Sequence, residues 1–286
     1  MSKALDYGMR FGHVGVHDYN LKEAIKWHID TFDMHEGLEL GHNHGHTPMV
    51  KFVKVGDSRI ELYEVKNGYP VALHNMEEYI GAKYTGLAIV EFDEWLKHAK
   101  EIGTNITFES PDMCFVNDPS GVPYKIYRDW LKEDTIYRGG KFGTRVVSFA
   151  MTVYSIDETA AWYNALFGFE RLPEYDYICP KCGQKVGVLG LGEFRMELFE
   201  NPDAKPFTLM DFEYYIGCKH LDIYIKDRAG WTEYLESIDD TAPAPVIVSM
   251  ANRNHPELGP LPHYVLDNNN CLMEMSDDGA YDRETK

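Results

Sequence analysis

Four residues with metal-binding side chains stand in short, strand-like stretches near the two ends of the chain. They are His13, Glu61, His220 and Glu274. Because successive side chains of a strand point to opposite faces, each can point into a concave sheet while its neighbours pack behind it. Two imidazoles with one or two carboxylates suit a divalent first-row metal ion. Such a set leaves coordination positions open for a substrate with neighbouring oxygens, whose developing charge the ion can stabilise.

The composition is that of an acidic globular protein. The chain has 286 residues, 44% of them hydrophobic and 26% charged, with a formal net charge of −18. That surface repels phosphate backbones and anionic membranes, so neither nucleic acid nor a membrane is expected as a partner. Five scattered cysteines, with no signal-peptide or membrane-spanning run, favour a reducing compartment. We expect a cytoplasmic protein that acts on a small molecule, and a homo-oligomer is compatible with the sequence.

The apolar spacing predicts a recurring order of strands and helices. Residues 11–18 alternate as a strand, and residues 20–32 change to helical spacing behind Asn20, a candidate N-cap. A second cycle has a helix at 93–102 and strands on either side of it. The order restarts with a strand at 149–155 and a helix at 156–167.

This restart indicates a duplication. Trp162 follows Trp27 by 135 residues, and the Tyr-Ile-Gly motif at 215–217 follows the one at 79–81 by 136. Repeats of this length with the same element order indicate two homologous domains. We predict an α+β fold of four βαβββ units, with domains at 1–131 and 145–286 and a polar linker at 132–144.

Three stretches resemble the vicinal oxygen chelate superfamily, which includes glyoxalase I, bleomycin-resistance proteins and extradiol ring-cleaving dioxygenases. They are the strand–helix opening with His13-Val14-Gly15-Val16 and Ala24-Ile25-Lys26-Trp27, the strand Ile60-Glu61-Leu62, and the turn Asp118-Pro119-Ser120-Gly121. The resemblance covers nearly the whole chain. It implies two homologous glyoxalase/dioxygenase-like domains and metal ligands on the first and fourth strands of paired units.

The way in which the units pair decides which ligand set forms. If the two units of the same half pair, each site has two residues that can bind a metal and two that bind it poorly. Pairing the first unit with the last unites His13, Glu61, His220 and Glu274. It leaves Tyr84, Lys125, Ser148 and Glu197 as a second set, in which the lysine repels a cation. Glu61 is the weaker member of the first set, because Glu197 occupies the equivalent place in the second.

Two further residues bear on the reaction. Tyr264 and His255 precede Glu274 by 10 and 19 positions, spacings similar to the extradiol dioxygenase signature. The resemblance therefore implies that they are catalytic and handle protons beside an iron(II) site. The sequence departs from that signature at His263, Asn268 and Asn270. Tyr264 can equally be an ordinary aromatic residue of a strand.

The sequence narrowly favours a ring-cleaving dioxygenase over two alternatives. The first is a glyoxalase-like lyase or isomerase, with nickel, zinc or manganese, in which Glu274 or Glu61 moves a proton on a metal-bound enediolate. The second is a small-molecule-binding or resistance protein without catalysis. His17 and the loop histidines His42, His44 and His46 can line the pocket mouth or belong to a solvated loop. The Cys179-Pro180-Lys181-Cys182 motif supplies only two of the four ligands of a structural zinc site.

Overall fold

The computed structural model describes residues 7–40, 50–69, 77–129, 139–206, 215–237, 245–250 and 261–277. The fold is α+β and consists of four βαβββ units in chain order, as the sequence predicts. None of the helices in the described part of the chain is long and apolar enough to span a membrane. The predicted domain boundaries at residues 131 and 145 stay a prediction.

The first and last units form one eight-stranded sheet. The first unit contains β1 (Met9–Asp18), α1 (Leu21–Phe32), β2 (His35–Leu40), β3 (Val50–Val55) and β4 (Ser58–Glu64). The last unit contains β14 (Gly217–Ile225), α4 (Arg228–Ser237), β15 (Val246–Met250), β16 (Pro262–Leu266) and β17 (Leu272–Ser276). The strand order is β15-β16-β17-β14-β1-β4-β3-β2, with β1 antiparallel to β14 at the junction.

The two middle units form the second sheet. One contains β5 (Gly81–Ile89), α2 (Phe92–Glu101), β6 (Asn105–Glu109), β7 (Met113–Asn117) and β8 (Pro123–Arg128). The other contains β9 (Thr144–Val153), α3 (Ile156–Phe167), β10 (Glu170–Arg171), β11 (Tyr177–Ile178), β12 (Lys185–Leu191) and β13 (Phe194–Glu200). Here β5 and β9 form the antiparallel junction. Each sheet therefore joins a unit from the first half of the sequence to one from the second.

Equivalent contacts in the two halves reflect the internal repeat. Asn20 caps α1 by accepting hydrogen bonds from the backbone N–H groups of Lys22 and Glu23, which stabilises the start of the helix. In the first half the Trp95 indole donates to the carbonyl of Thr31 at 2.9 Å. In the second half the Trp231 indole donates to the carbonyl of Leu166, also at 2.9 Å. A buried tryptophan thus links the two helices of each half.

Candidate metal centre

The junction of the first sheet brings the four predicted ligands together. His13 lies on β1 and His220 on the antiparallel β14, while Glu61 and Glu274 lie on β4 and β17, which run parallel to those two strands. The next residues of β1 with the opposite orientation, Val14 and Val16, are fully buried in the main apolar core. Alternation along the strand therefore directs the His13 imidazole away from that core.

One donor atom from each side chain converges on a single point. The Nε2 atoms of His13 and His220 are 3.2 Å apart. The Glu61 Oε2 atom lies 3.3 Å from the first nitrogen and 3.4 Å from the second. The Glu274 Oε2 atom lies 3.4 and 3.1 Å from the same two nitrogens. We call these four residues the His-Glu cluster. Among the described residues it is the one group of three or more potential ligands within mutual reach.

The chemistry of this cluster fits a divalent cation. Donor atoms with these separations leave room for a central ion about 2 Å from each, the length of zinc–nitrogen and zinc–oxygen bonds. Carboxylate oxygens only accept hydrogen bonds, and the donors near the buried Glu274 Oε2 are the two imidazoles. Two imidazole nitrogens and two carboxylate oxygens therefore converge in a buried space, where one metal ion would bind all four.

Without an ion, the charges of the cluster perturb one another. Burial lowers the pKa of His13, but the carboxylates of Asp222, Glu274 and Glu61 outweigh it and raise that pKa well above its ordinary value. Burial raises the pKa of Glu61, but hydrogen bonds from His13 and His220 lower it to about 2. The pKa of Glu274 is likewise low, because the two imidazoles outweigh its burial. Both carboxylates are thus ionised and ready to bind a cation.

Asp222 and Tyr63 support the cluster from outside. The Asp222 Oδ2 atom lies 3.3 Å from the Nδ1 atom of His13 and accepts the Ser276 hydroxyl at 2.7 Å. A carboxylate at the second imidazole nitrogen orients the ring and increases its basicity. The Tyr63 hydroxyl donates to Glu61 Oε2 at 2.5 Å. Neither residue is predicted from the sequence, although each follows a predicted ligand by two positions and so shares its strand face.

Two glycines of β1 make room for these side chains. A Cβ atom at Gly15 would lie 2.3 Å from the imidazole Cε1 atom of His220, and one at Gly12 would lie 1.7 Å from Asp222 Oδ2. In the second sheet Ala150, opposite Tyr84, occupies the place that Gly15 occupies opposite His220. Gly12 and Gly15, on either side of His13, are therefore a sequence signal that bulky polar side chains of the neighbouring strand pack against β1.

The Gly15→Ala substitution is expected to weaken divalent metal binding about tenfold or more. The new methyl group collides with a buried imidazole, and a ligand displaced by even a fraction of an ångström loses its bond to the ion. Chelator competition on the purified full chain measures the affinity, with Ala150→Gly as the matched control in the second sheet. An unchanged affinity in Gly15→Ala would mean that His220 is not held against the strand as described.

The equivalent place in the second sheet holds an internal cation. The Lys125 Nζ atom lies 2.8 Å from Glu197 Oε1, and both residues are buried. The hydroxyls of Tyr84 and Tyr177 donate to the same carboxylate at 2.6 and 2.9 Å. Burial raises the pKa of Glu197, but Lys125 and the hydroxyls of Tyr84 and Tyr177 together outweigh this and lower it. We call these residues, with Ser148, the Lys-Glu cluster. The Lys125 ammonium group supplies there the positive charge that a metal ion would supply in the first sheet.

The remaining predicted residues do not all lie at the His-Glu cluster. Tyr264 pairs with Glu274 across β16 and β17, and its ring centroid is 6.0 Å from that of His220. Burial and the charges of Glu274 and Glu61 raise its pKa well above the ordinary value, so the phenol stays protonated. His17 is buried and contacts the Tyr215 carbonyl through Nδ1 at 2.9 Å, outside the cluster. His255, His42, His44 and His46 lie outside the described residues.

The CxxC motif lies outside the His-Glu cluster, whereas His263 lies beside it. Cys179 and Cys182 are free thiols in the turn between β11 and β12, and no third ligand joins them among the described residues. The His263 Nε2 atom lies 3.5 Å from Glu274 Oε1, the carboxylate oxygen that points away from the cluster. In the sequence His263 stands out only as a departure from the dioxygenase pattern.

Comparisons with known proteins identify the fold. No protein-family model and no curated protein matches the chain. Among solved structures, a glyoxalase I mutant from Zea mays matches with a TM-score of 0.71 at 14% identity, over 97% of each chain. A second structure of glyoxalase I from Zea mays has a TM-score of 0.69 at 14% identity, over 96% of this chain and 95% of the other. A "putative dioxygenase" from Bacillus subtilis subsp. subtilis strain 168 has a TM-score of 0.67 at 12% identity, over 94% and 84%.

These matches span both halves of the chain and agree with the four units and the two shared sheets. The chain therefore has the fold of the vicinal oxygen chelate superfamily in its two-domain form.

Proposed function

We propose that the protein is a divalent-metal-dependent lyase or isomerase that moves a proton between adjacent carbons of a small hydroxycarbonyl substrate. The observation that carries this proposal is that both carboxylates reach the same point as both imidazoles. A site with two imidazoles and one carboxylate is typical of iron(II) oxygenases, whereas a fourth side-chain ligand takes one of the positions that oxygen chemistry needs. The ion would supply a Lewis-acid centre for negative charge on two neighbouring substrate oxygens.

The residues around Glu274 support its role as the base. Its side chain is 12% exposed whereas that of Glu61 is 4% exposed, so Glu274 is the carboxylate nearer to solvent. Its second oxygen, Oε1, lies 3.5 Å from the Nε2 atom of His263, whose side chain is 25% exposed. A proton taken up by Glu274 can therefore pass to His263 and leave the site. Glu61, held by the Tyr63 hydroxyl, would stay a ligand.

The Glu274→Gln variant is expected to lose about 10²- to 10⁴-fold in turnover, the usual contribution of a general base. The glutamine side chain keeps one oxygen for the ion but cannot accept the proton. The assay follows deuterium exchange at the carbon beside the carbonyl of a hydroxycarbonyl substrate, without oxygen and with the metal-loaded protein. The double variant Lys125→Met/Glu197→Gln, which removes both charges of the Lys-Glu cluster, is the matched control and should retain turnover. Equal rates in Glu274→Gln and the parent protein would remove Glu274 from the chemistry.

A ring-cleaving dioxygenase with iron(II) is the second candidate, and Tyr264 is the observation that favours it. Its protonated phenol stands beside Glu274 and can hydrogen-bond a diol oxygen. His255, the other residue in this hypothesis, stays a prediction. Oxygen uptake with catechols and hydroquinones distinguishes the two candidates: stoichiometric uptake that Tyr264→Phe abolishes would favour ring cleavage, and turnover without oxygen would favour proton transfer.

A further inference from the structure

A pair of buried carboxyl groups joins the two sheets in the first half of the chain. Asp18 is the last residue of β1 in the first sheet, and Asp118 follows β7 in the second sheet. Asp18 is fully buried and Asp118 is 4% exposed. The two carboxyl groups hydrogen-bond each other, and Ser120 hydrogen-bonds both. A short polar junction therefore connects one strand of each sheet.

Backbone hydrogen bonds keep the two carboxyl groups in contact. The Tyr19 N–H group, next to Asp18, donates to Ser120 Oγ at 3.0 Å. On the other side of the junction the Val122 N–H group donates to Asp118 Oδ1 at 2.8 Å, and the Asp118 N–H group donates to the Val122 carbonyl at 3.0 Å. The carboxyl groups therefore cannot move apart unless the contact between Tyr19 and Ser120 is strained or broken.

No positive charge balances two carboxylates at this junction. The titratable side chains around the pair are Glu64 on β4, His28 on α1, Tyr124 on β8 and Cys218 on β14. Burial lowers the pKa of His28 to about 4 and raises the pKa values of Tyr124 and Cys218, so none of these is charged at neutral pH. Glu64 is negative and pairs with Lys66 at 3.1 Å. Burial raises the pKa values of both aspartates, and the neighbouring carboxyl group raises that of Asp118 further.

The second half has the same junction without a carboxyl pair. There the Tyr154 N–H group donates to Asn269 Oδ1 at 3.2 Å, as its counterpart in the first half donates to a serine. Asp267, in the turn after β16, accepts the Tyr163 hydroxyl at 2.8 Å. The last residue of β9, where β1 ends in an aspartate, is Val153. The carboxyl pair is thus particular to the first half and not a requirement of the fold.

We propose that Asp18 and Asp118 share one proton and form a pH-sensitive latch between the two sheets. While the proton is held, the O–H group of one carboxyl donates to the oxygen of the other, and the latch is closed. When hydroxide or another base removes that proton, two negative charges face each other in a buried place and repel, which opens the contact between Tyr19 and Ser120. The latch is independent of the metal chemistry, because neither aspartate belongs to the His-Glu cluster.

The latch makes the folding equilibrium depend on pH. The folded protein keeps a proton that an unfolded aspartate loses above about pH 4. The stability from the latch is therefore complete below that pH and is lost as the pH rises through the raised pKa of the pair. In this window the equilibrium constant for unfolding should rise by up to about tenfold per pH unit, relative to a variant that needs no shared proton.

Asp18→Asn is that variant, because its amide N–H group donates to the Asp118 carboxylate at any pH. Urea denaturation of the full-length protein and the variant, from about pH 5 to about pH 10, measures the difference between the two. Asp118→Asn is a second variant, which keeps an oxygen for the Val122 N–H group and donates to Asp18. Asp267→Asn is the matched control in the second half and should retain the alkaline loss of stability.

Amide hydrogen exchange of the same proteins shows where the structure opens. The protection factor of the Tyr19 N–H group should fall at least about tenfold as the pH rises through the pKa of the pair. That of Tyr154, the equivalent donor in the second half, should stay constant, and in Asp18→Asn both should stay constant. Three results would overturn the proposal: two ionised carboxyl groups at neutral pH by NMR of the carboxyl carbons, equal loss of protection at Tyr19 and Tyr154, or an unchanged pH dependence of unfolding in both aspartate variants of the latch.

Discussion

Replacing His220 by alanine is expected to lower the affinity for a divalent ion at least about 100-fold, since loss of an outer partner of a ligand alone costs about 10–100-fold. The His220 imidazole is fully buried and contributes one of four converging donor atoms. Its removal leaves three ligands and a space that water can enter. Turnover should disappear together with the metal, whichever reaction the site performs.

Tyr84→Phe is the matched control for His220→Ala, because Tyr84 holds the equivalent position in the second sheet. This variant loses a hydrogen bond to Glu197 but no ligand of the His-Glu cluster. Metal titration of both variants, after removal of metal by a chelator, separates the two effects. Full metal affinity in His220→Ala, or its loss in Tyr84→Phe, would contradict the assignment of the site to the first sheet.

Replacing Lys125 by methionine is expected to destabilise the protein by about 3–5 kcal/mol, the usual cost of breaking a buried ion pair. The ammonium group lies 2.8 Å from Glu197, and both side chains are less than 10% exposed. Without it the carboxylate keeps two tyrosine donors but no positive charge. Urea denaturation measures the free energy of unfolding.

A double variant isolates this charge effect. Lys125→Met/Glu197→Gln removes both charges while the amide oxygen still accepts the tyrosine hydroxyls, so we expect it to recover much of the lost stability. The metal content should be unchanged in both variants, because the ion belongs to the other sheet. A cost below about 1 kcal/mol for Lys125→Met would show that the pair is solvated like a surface ion pair.

The sequence predicted the fold well because the signals of the repeat are local. Asn20 caps its helix, and the aromatic pairs 135 residues apart mark equivalent helices. The pairing of the first unit with the last could be inferred only indirectly, from which arrangement unites His220 with His13. A contact between two residues 207 positions apart leaves no local pattern in the sequence.

Other parts of the site depend on tertiary packing. The role of Asp222 depends on the register between β1 and β14, and a β-bulge between Phe11 and Val14 shifts that register. His263 reaches Glu274 only because β16 and β17 pair at this point.

One divalent ion is expected to bind between His13, Glu61, His220 and Glu274. Anomalous diffraction from crystals of protein purified without a metal-affinity tag, recorded on both sides of the absorption edge of the bound metal, tests it most directly. We expect one peak per chain, at the point where these four side chains converge. A peak at the Lys-Glu cluster or between Cys179 and Cys182 instead, or no peak after reconstitution with iron, nickel, zinc and manganese, would contradict it.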